Sequence, residues 1–253
     1  MTRLRLDLLL VQQGLAESRE KAQRLIRAGV VRLGGHPQNK PGHLYPEDTV
    51  LEIDQPERFV SRGGEKLETA FRQFGLDVTG RVAADIGAST GGFTDCLLQH
   101  GARKVVAVDV GQGQLHWRLR NDPRVVVHEG VNARQLDPAL FDEKPTFAVV
   151  DVSFISLTLI LPPLVAVLSA PAEIVTLIKP QFEAGREQVG KNGVVRDPAV
   201  HQEVIERIRR FGEQSAGLRW RGCCESAIKG PAGNTEFLAW WEKPARIEHA
   251  PVR

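Results

Sequence analysis

Apolar residues along this chain follow two rhythms, and the switch between them marks where strands give way to helices. From residue 81 onward, runs rich in β-branched and small residues (RVAADIG at 81–87, KVVAVDV at 104–110, RVVVHEG at 124–130, FAVVDVSF at 147–154, EIVTLIK at 173–179) alternate with FTDCLLQHG and GQLHWRLR, which read as helices. Near-continuous apolar strands separated by helices predict a parallel sheet covered on both faces. DPAVHQEVIERIRRFGEQS at 197–215 is a helix. LRWRGCCES and NTEFLAWWEK, joined by the turn AIKGPAG, predict an antiparallel hairpin at the sheet edge, for seven strands in all. Upstream, Leu67, Ala70, Phe71 and Phe74 recur at helical spacing, so an amphipathic helix docks on that sheet.

The front of the chain has another texture. RLDLLLVQQGLAESREKAQRLIRAGVVRLGG predicts two short helices, with Gly14 closing the first and Ser18 capping the second. The second helix gathers Ala22, Leu25 and Ile26 on one face and sets Arg19, Lys21, Arg24 and Arg27 mostly on the other. VVRLGGHPQ and TVLEIDQ are strand-like pieces divided by turn residues. The expected organisation is a small α+β domain over residues 1–60, a linker at 61–64, an α/β domain over 65–246 and a tail at 247–253.

Composition sharpens this only locally. The 253 residues carry 33 basic and 31 acidic side chains, so the overall balance says little about partners. Residues 1–40, however, hold eight Lys/Arg against three acids, and residues 41–60 one base against five acids. A basic front that ends abruptly suits a polyanion-binding module, although a solvated helix face has the same composition. Three cysteines, Cys96, Cys223 and Cys224, make neither a disulfide framework nor a zinc pattern, and we read them as reduced thiols. Cys223 and Cys224 fall in one strand and point to opposite faces. The tryptophans are expected in the core, and the seven histidines show no metal-ligand spacing. Asp7 interrupts the apolar N-terminus, and prolines plus Glu173 break the stretch FISLTLILPPLVAVLSAPAEIVTLI, so neither a signal peptide nor a membrane span is expected. The expected location is the cytoplasm.

The loop DIGASTGGFTD follows the first strand of the sheet, where open α/β folds bind ligands. Its glycines, Gly87, Gly91 and Gly92, do not match the dinucleotide spacing, and no lysine follows as a phosphate loop requires. What remains is a loop of small residues and hydroxyls (Asp85, Ala88, Ser89, Thr90 and Phe93 complete it) suited to the amino-acid end of S-adenosylmethionine. Asp109 ends the next strand, where a carboxylate can accept ribose hydroxyls. Asn132 follows the third strand, where it could read an adenine edge.

Four charged residues from distant segments complete the pattern. Asp151 and Lys179 end their strands, Glu236 begins the last antiparallel strand at the same edge, and Lys66 lies on the helix before the first strand. Singly, each has the look of a surface ion-pair residue. Together they resemble the Lys-Asp-Lys-Glu tetrad of FtsJ-like ribose 2′-O-methyltransferases. The first sixty residues resemble the S4 RNA-binding domain. VSRGGEKL, DIGASTGGFTD, DVSFISL and KPQFE, behind such a domain, look like the TlyA family, often labelled hemolysin. The resemblance implies a Rossmann-like class I methyltransferase sheet and S-adenosylmethionine as methyl donor. It implies 2′-O-methylation of cytidine in 16S or 23S ribosomal RNA, or both, with no metal. It also implies partners among ribosomal RNA and ribosomal subunits and none in the membrane; a monomer is expected. Lys179 would orient the ribose hydroxyl or take its proton; residue types leave both open. Arg3, Arg5, Ser18, Arg19, Lys21, Arg24 and Arg27 are the candidate RNA contacts. Two rival readings are a non-catalytic RNA-binding protein and a membrane-lytic one.

Overall fold

A computed structural model describes residues 3–54 and 58–245, and the chain divides into two compact units, 1–58 and 59–253. The first unit opens with β1 (Arg3–Arg5), α1 (Leu6–Gln12) and α2 (Arg19–Arg27). Four short strands follow: β2 (Val31–Leu33), β3 (His36–Gln38), β4 (Leu44–Pro46) and β5 (Glu52–Ile53). β1 pairs with β4, and β2 lies between β3 and β5. The two helices bury Leu6, Leu9, Leu10, Ala22 and Ile26 against Val31 and Leu51, as their spacing predicts.

Asp7 sits fully buried in that unit and accepts hydrogen bonds from Arg5, Arg19 and Gln23 at 2.8–3.0 Å. The Arg5 guanidinium is the main cause that holds this carboxyl well below the usual carboxylate range. Two of the expected RNA-contacting arginines are therefore committed to an internal acid, which sequence spacing could not reveal. Ser18 Oγ accepts from the Lys21 backbone N–H at 3.2 Å, so its hydroxyl caps α2. Arg3, Lys21, Arg24 and Arg27 are exposed.

The second unit contains α3 (Gly63–Phe74), β6 (Val82–Ile86), α4 (Gly92–Gln99), β7 (Lys104–Asp109), α5 (Trp117–Arg120), β8 (Val125–Glu129) and β9 (Phe147–Val150). It continues with α6 (Leu161–Val167), β10 (Ala172–Ile178), α7 (Pro180–Glu183), α8 (Pro198–Gln214), β11 (Arg219–Glu225) and β12 (Phe237–Lys243). The sheet order is β11-β12-β10-β9-β6-β7-β8, with β6 to β10 parallel to one another and β12 antiparallel to both β10 and β11. Successive residues alternate between two cores. Ala83, Val105, Phe147 and Val175 pack with Leu67, Phe71 and Leu97 of α3 and α4. Ala84, Val106, Ala148 and Ile174 pack with Leu161, Leu164, Val204 and Ile208 of α6 and α8. Burial on both faces is why these strands read as continuous apolar runs.

Several expectations change. Phe59 is buried with Leu67, Phe71 and Phe93, the Val60 N–H donates to Asp95, and α3 starts at Gly63. Residues 61–64 are thus packed structure and not a linker, despite their breaker-like SRGG. The second unit begins before residue 65, and the expected tail lies outside the described residues. The helix expected at GQLHWRLR is the single turn α5. Leu119 on that turn and Leu115 just before it are buried, which leaves Trp117 68% exposed and not in the core. Cys96 is buried, and Cys223 and Cys224 face opposite cores, where burial pushes the Cys223 thiol up to about 12. Glu68, Cys96 and His100 come together between α3 and α4, a cluster that sequence spacing hid; Glu68 there binds Arg72 and His100. Among the described residues no helix is long and apolar enough to cross a membrane.

Candidate active site

The ends of four neighbouring strands set the site. Ile86 pairs with Val150, Val150 with Thr176 and Ile178 with Phe237, so Gly87, Asp151, Lys179 and Glu236 leave the sheet at one edge. Gly87 has φ +87°, and a side chain there would lie 2.4 Å from the Asp151 carbonyl oxygen; only glycine lets the two strand ends turn this closely.

The four charged residues form two ion pairs. Lys179 Nζ is 2.5 Å from Asp151 Oδ1 and donates to Ser153 Oγ at 2.9 Å. Lys66 Nζ, brought by the second turn of α3, donates to Glu236 Oε2 at 2.6 Å. Register makes Lys179 and Glu236 neighbours beyond the last paired residues of β10 and β12. Both lysines are largely buried and the Glu236 side chain is 1% exposed, so each charge depends on its partner.

The loop after Asp151 is tied step by step to the segment after Lys179. Below the ion pair, the rings of Phe154 and Phe182 lie 4.9 Å apart. Glu183 then accepts from Ser156 Oγ and from the Leu157 N–H, each at 2.7 Å. Burial pushes the Glu183 carboxyl above its ordinary range. Phe154 has φ +63° and is 90% exposed, an unusual conformation for a bulky residue, held by these links.

A cavity of about 770 Å³ opens beside this edge, lined by Gly87, Ser89, Asp109, Gln114, Asn132, Asp151, Ser153, Phe154 and Phe182 among others. Of the expected cofactor residues, Gly87, Ser89, Asp109 and Asn132 border it. Asp109 accepts from the backbone N–H groups of Ser89 and Gly111, each at 2.7 Å, and a carboxylate so held keeps free lone pairs for ribose hydroxyls. Asn132 Oδ1 accepts from the Arg134 N–H at 3.1 Å.

Asp85, Ala88, Thr90, Gly91, Gly92 and Phe93 do not line the cavity. Ala88 and Phe93 are core residues. Side chains at Gly91 and Gly92 would meet Leu119 at 2.3 Å and Ser61 at 2.4 Å, so these glycines let the protein pack closely on itself. Asp85 is fully buried beneath the loop. Thr94 Oγ1 donates to it at 2.6 Å, its other oxygen has no partner, and burial pushes its carboxyl up to about 7.

In DVSFISL and KPQFE, strand-end position singles out Asp151 and Lys179 alone. Ser153, Phe154, Phe182 and Glu183 lie within the same motifs, but linkage across 26 and 27 residues is not a local signal.

Known proteins resemble the chain along most of its length. Residues 59–243 match the FtsJ-like methyltransferase family and residues 4–51 the S4 domain. YqxC of Bacillus subtilis, which carries the name of an rRNA methyltransferase, is 52% identical over 92% of this chain and 84% of its own length. The 16S/23S rRNA (cytidine-2′-O)-methyltransferase TlyA of Mycobacterium tuberculosis is 47% identical over 94% of this chain and 89% of its own. A solved structure described as a hemolysin of Streptococcus thermophilus superposes with a TM-score of 0.74 at 48% identity, covering 96% of this chain and 90% of the other. With two paired lysines and acids at the carboxyl edge of its sheet, and this likeness along nearly its whole length, the chain belongs to the FtsJ-like methyltransferase family and joins that domain to an S4 domain.

Proposed function

We propose that this protein methylates the 2′-hydroxyl of a cytidine in ribosomal RNA, with S-adenosylmethionine as donor and the S4 unit gripping structured RNA. The observation that carries this reading is the pair of buried ion pairs, Lys66–Glu236 and Lys179–Asp151, at the sheet edge where the cavity opens. The names of the two relatives support the ribosomal substrate.

The residues fit such a donor. Asp109 has acceptor capacity for a ribose, Asn132 is placed to meet a base edge, and the cavity has room for both. The donor, when bound, supplies an electrophilic methyl group whose transfer discharges a sulfonium. The chain must then position a weak nucleophile. Lys179 already donates to Ser153 and faces Asp151, so it is set to donate to the incoming ribose oxygen and to stabilise negative charge there as the hydroxyl proton passes to solvent and the methyl group leaves the sulfur for the oxygen. This geometry favours the orienting role over that of a base, because the ammonium is engaged by a carboxylate. Lys66 and Glu236 frame the other side of the same edge. The exposed face of Phe154 offers a stacking surface to a base drawn out of its helix.

In the S4 unit, Arg3, Lys21, Arg24 and Arg27 are free to meet phosphates, while Arg5 and Arg19 share their charge with Asp7. A ribosomal substrate places the protein in the cytoplasm. The test is methyl transfer from labelled S-adenosylmethionine to ribosomal subunits, followed by alkaline hydrolysis. Ribose methylation protects the adjacent bond, so label is expected in alkali-resistant dinucleotides beginning with cytidine. Label in mononucleotides, as a methylated base would give, or no label, would refute the reading.

A further inference from the structure

A second hollow of about 370 Å³ opens on the far side of the Glu236 loop, lined by Arg196, His201, Lys229, Gly233 and Thr235 among others. We propose that it seats a backbone phosphate of the RNA that presents the target ribose. This deepens the functional reading above and rests on it.

The hollow is built, not incidental. Its two walls are the segment leading into α8 and the loop between β11 and β12. Asn234, 1% exposed, clamps them together: its Oδ1 accepts from the Val195 N–H and its Nδ2 donates to the Gly193 carbonyl, both at 2.9 Å. The loop is closed on itself by Gly230 N–H to Asn234 O at 2.9 Å and Gly233 N–H to Gly230 O at 2.8 Å. His201 forms a fixed wall, with Nε2 held by the Val195 carbonyl at 3.0 Å and the ring edge-on to Phe237.

Two cations line this rigid hollow without neutralisation. Arg196 and Lys229 are exposed, and among the described residues neither has an acidic partner. Asp197, the acid next to Arg196, caps α8, one carboxylate oxygen accepting from the Ala199 N–H at 2.9 Å. Arg62 reaches the same loop through the Lys229 carbonyl at 3.3 Å. A polar hollow lined by two cations outside any ion pair among the described residues selects an anion with several acceptor oxygens.

Its place in the chain says which anion. Thr235 lines the hollow and the next residue is Glu236. On the other side of the loop a side chain at Gly230 would lie 2.5 Å from Glu236 Oε1, so the loop backbone rests on the carboxylate that holds Lys66. Every ribose in RNA is flanked by phosphates. An anion seat sharing a loop with the ion pairs is placed to fix a neighbouring phosphate and so set the approach of the hydroxyl.

The test replaces both cations, Arg196→Gln with Lys229→Gln, and measures binding of protein-free ribosomal RNA as a function of salt, with no methyl donor present. The expected result is weaker binding and a slope of log K against log salt smaller by about one unit. In methylation assays KM for RNA should rise about three- to tenfold while affinity for S-adenosylmethionine is unchanged. The charge-keeping variant Arg196→Lys with Lys229→Arg should restore the parental slope, which a merely folded-state effect would not require. An unchanged slope and KM would overturn the proposal. So would a raised KM on whole subunits with unchanged binding to protein-free RNA, which would assign the hollow to an acidic ribosomal protein. Because the binding measurement needs no methylation, its failure is distinct from failure of the proposed activity.

Discussion

Glu183 Oε2 accepts a hydrogen bond from Ser156 Oγ at 2.7 Å, joining the two segments that begin at Lys179 and Asp151. With the Leu157 N–H on its other oxygen, this buried carboxylate fixes the loop that lines the cavity. Glu183→Ala removes both acceptor oxygens, so the Leu157 N–H loses its partner. Leaving a buried N–H unpaired costs about 1–3 kcal/mol. We expect a lower melting temperature and several-fold weaker binding of S-adenosylmethionine by calorimetry. Unchanged binding would show that the loop is held without Glu183.

The Lys66–Glu236 pair should be costly to break from one side. Lys66→Ala leaves Glu236 buried and unpaired, a change of about 3 kcal/mol or more. Adding Glu236→Gln removes the stranded charge, so the double variant should be more stable than Lys66→Ala alone. Denaturant melts of both variants measure the difference; additive losses would mean the pair is not coupled.

Gly212 sits inside α8, where helix propensity favours alanine by about 1 kcal/mol. A side chain there would lie 2.3 Å from the Trp241 ring, which is fully buried and held by Thr176 Oγ1 at 3.0 Å. Overpacking costs about 1–3 kcal/mol. Gly212→Ala should therefore lower the melting temperature, and a rise would show that the indole can retreat.

Asp85 ties stability to pH. Burial lifts its carboxyl to about 7, so the folded state holds a proton that the unfolded chain releases near pH 4. Between those values the folded state binds more protons, and stability falls as pH rises. Asp85→Asn lacks this slope. The melting temperature of Asp85→Asn relative to the parent should climb from pH 5 to pH 8; a flat difference would mean that Asp85 is charged throughout.

Much of this was legible in the sequence because it is written in local patterns. Two-face burial makes β6 to β10 apolar runs, and the Ser18 cap and the Gly14 turn bracket the first two helices. Residues at strand ends, such as Asp151 and Lys179, could be placed because a strand's end is itself a pattern. Partner choice could not. Nothing near Arg5 or Arg19 announces Asp7 as their buried acid, and nothing near Gly92 shows that Ser61 and Gly64 crowd it. Phe59 falls within the expected first domain, yet its contacts come from α3 and α4 of the second unit rather than from its neighbours. Trp117 is expected in the core because aromatic residues usually are, yet Leu119 of the one-turn helix and Leu115 just before it take the buried positions.

Lys179 bears the most weight, since it joins Asp151, Ser153 and the proposed ribose oxygen. The direct measurement is the single-turnover rate of methyl transfer to ribosomal RNA by Lys179→Ala, with S-adenosylmethionine affinity measured on the same preparation. The rate should fall by about 10²–10³-fold while donor affinity stays within a few-fold of the parent. Methyl transfer at the parental rate by a folded, donor-binding Lys179→Ala protein would contradict the proposed chemistry.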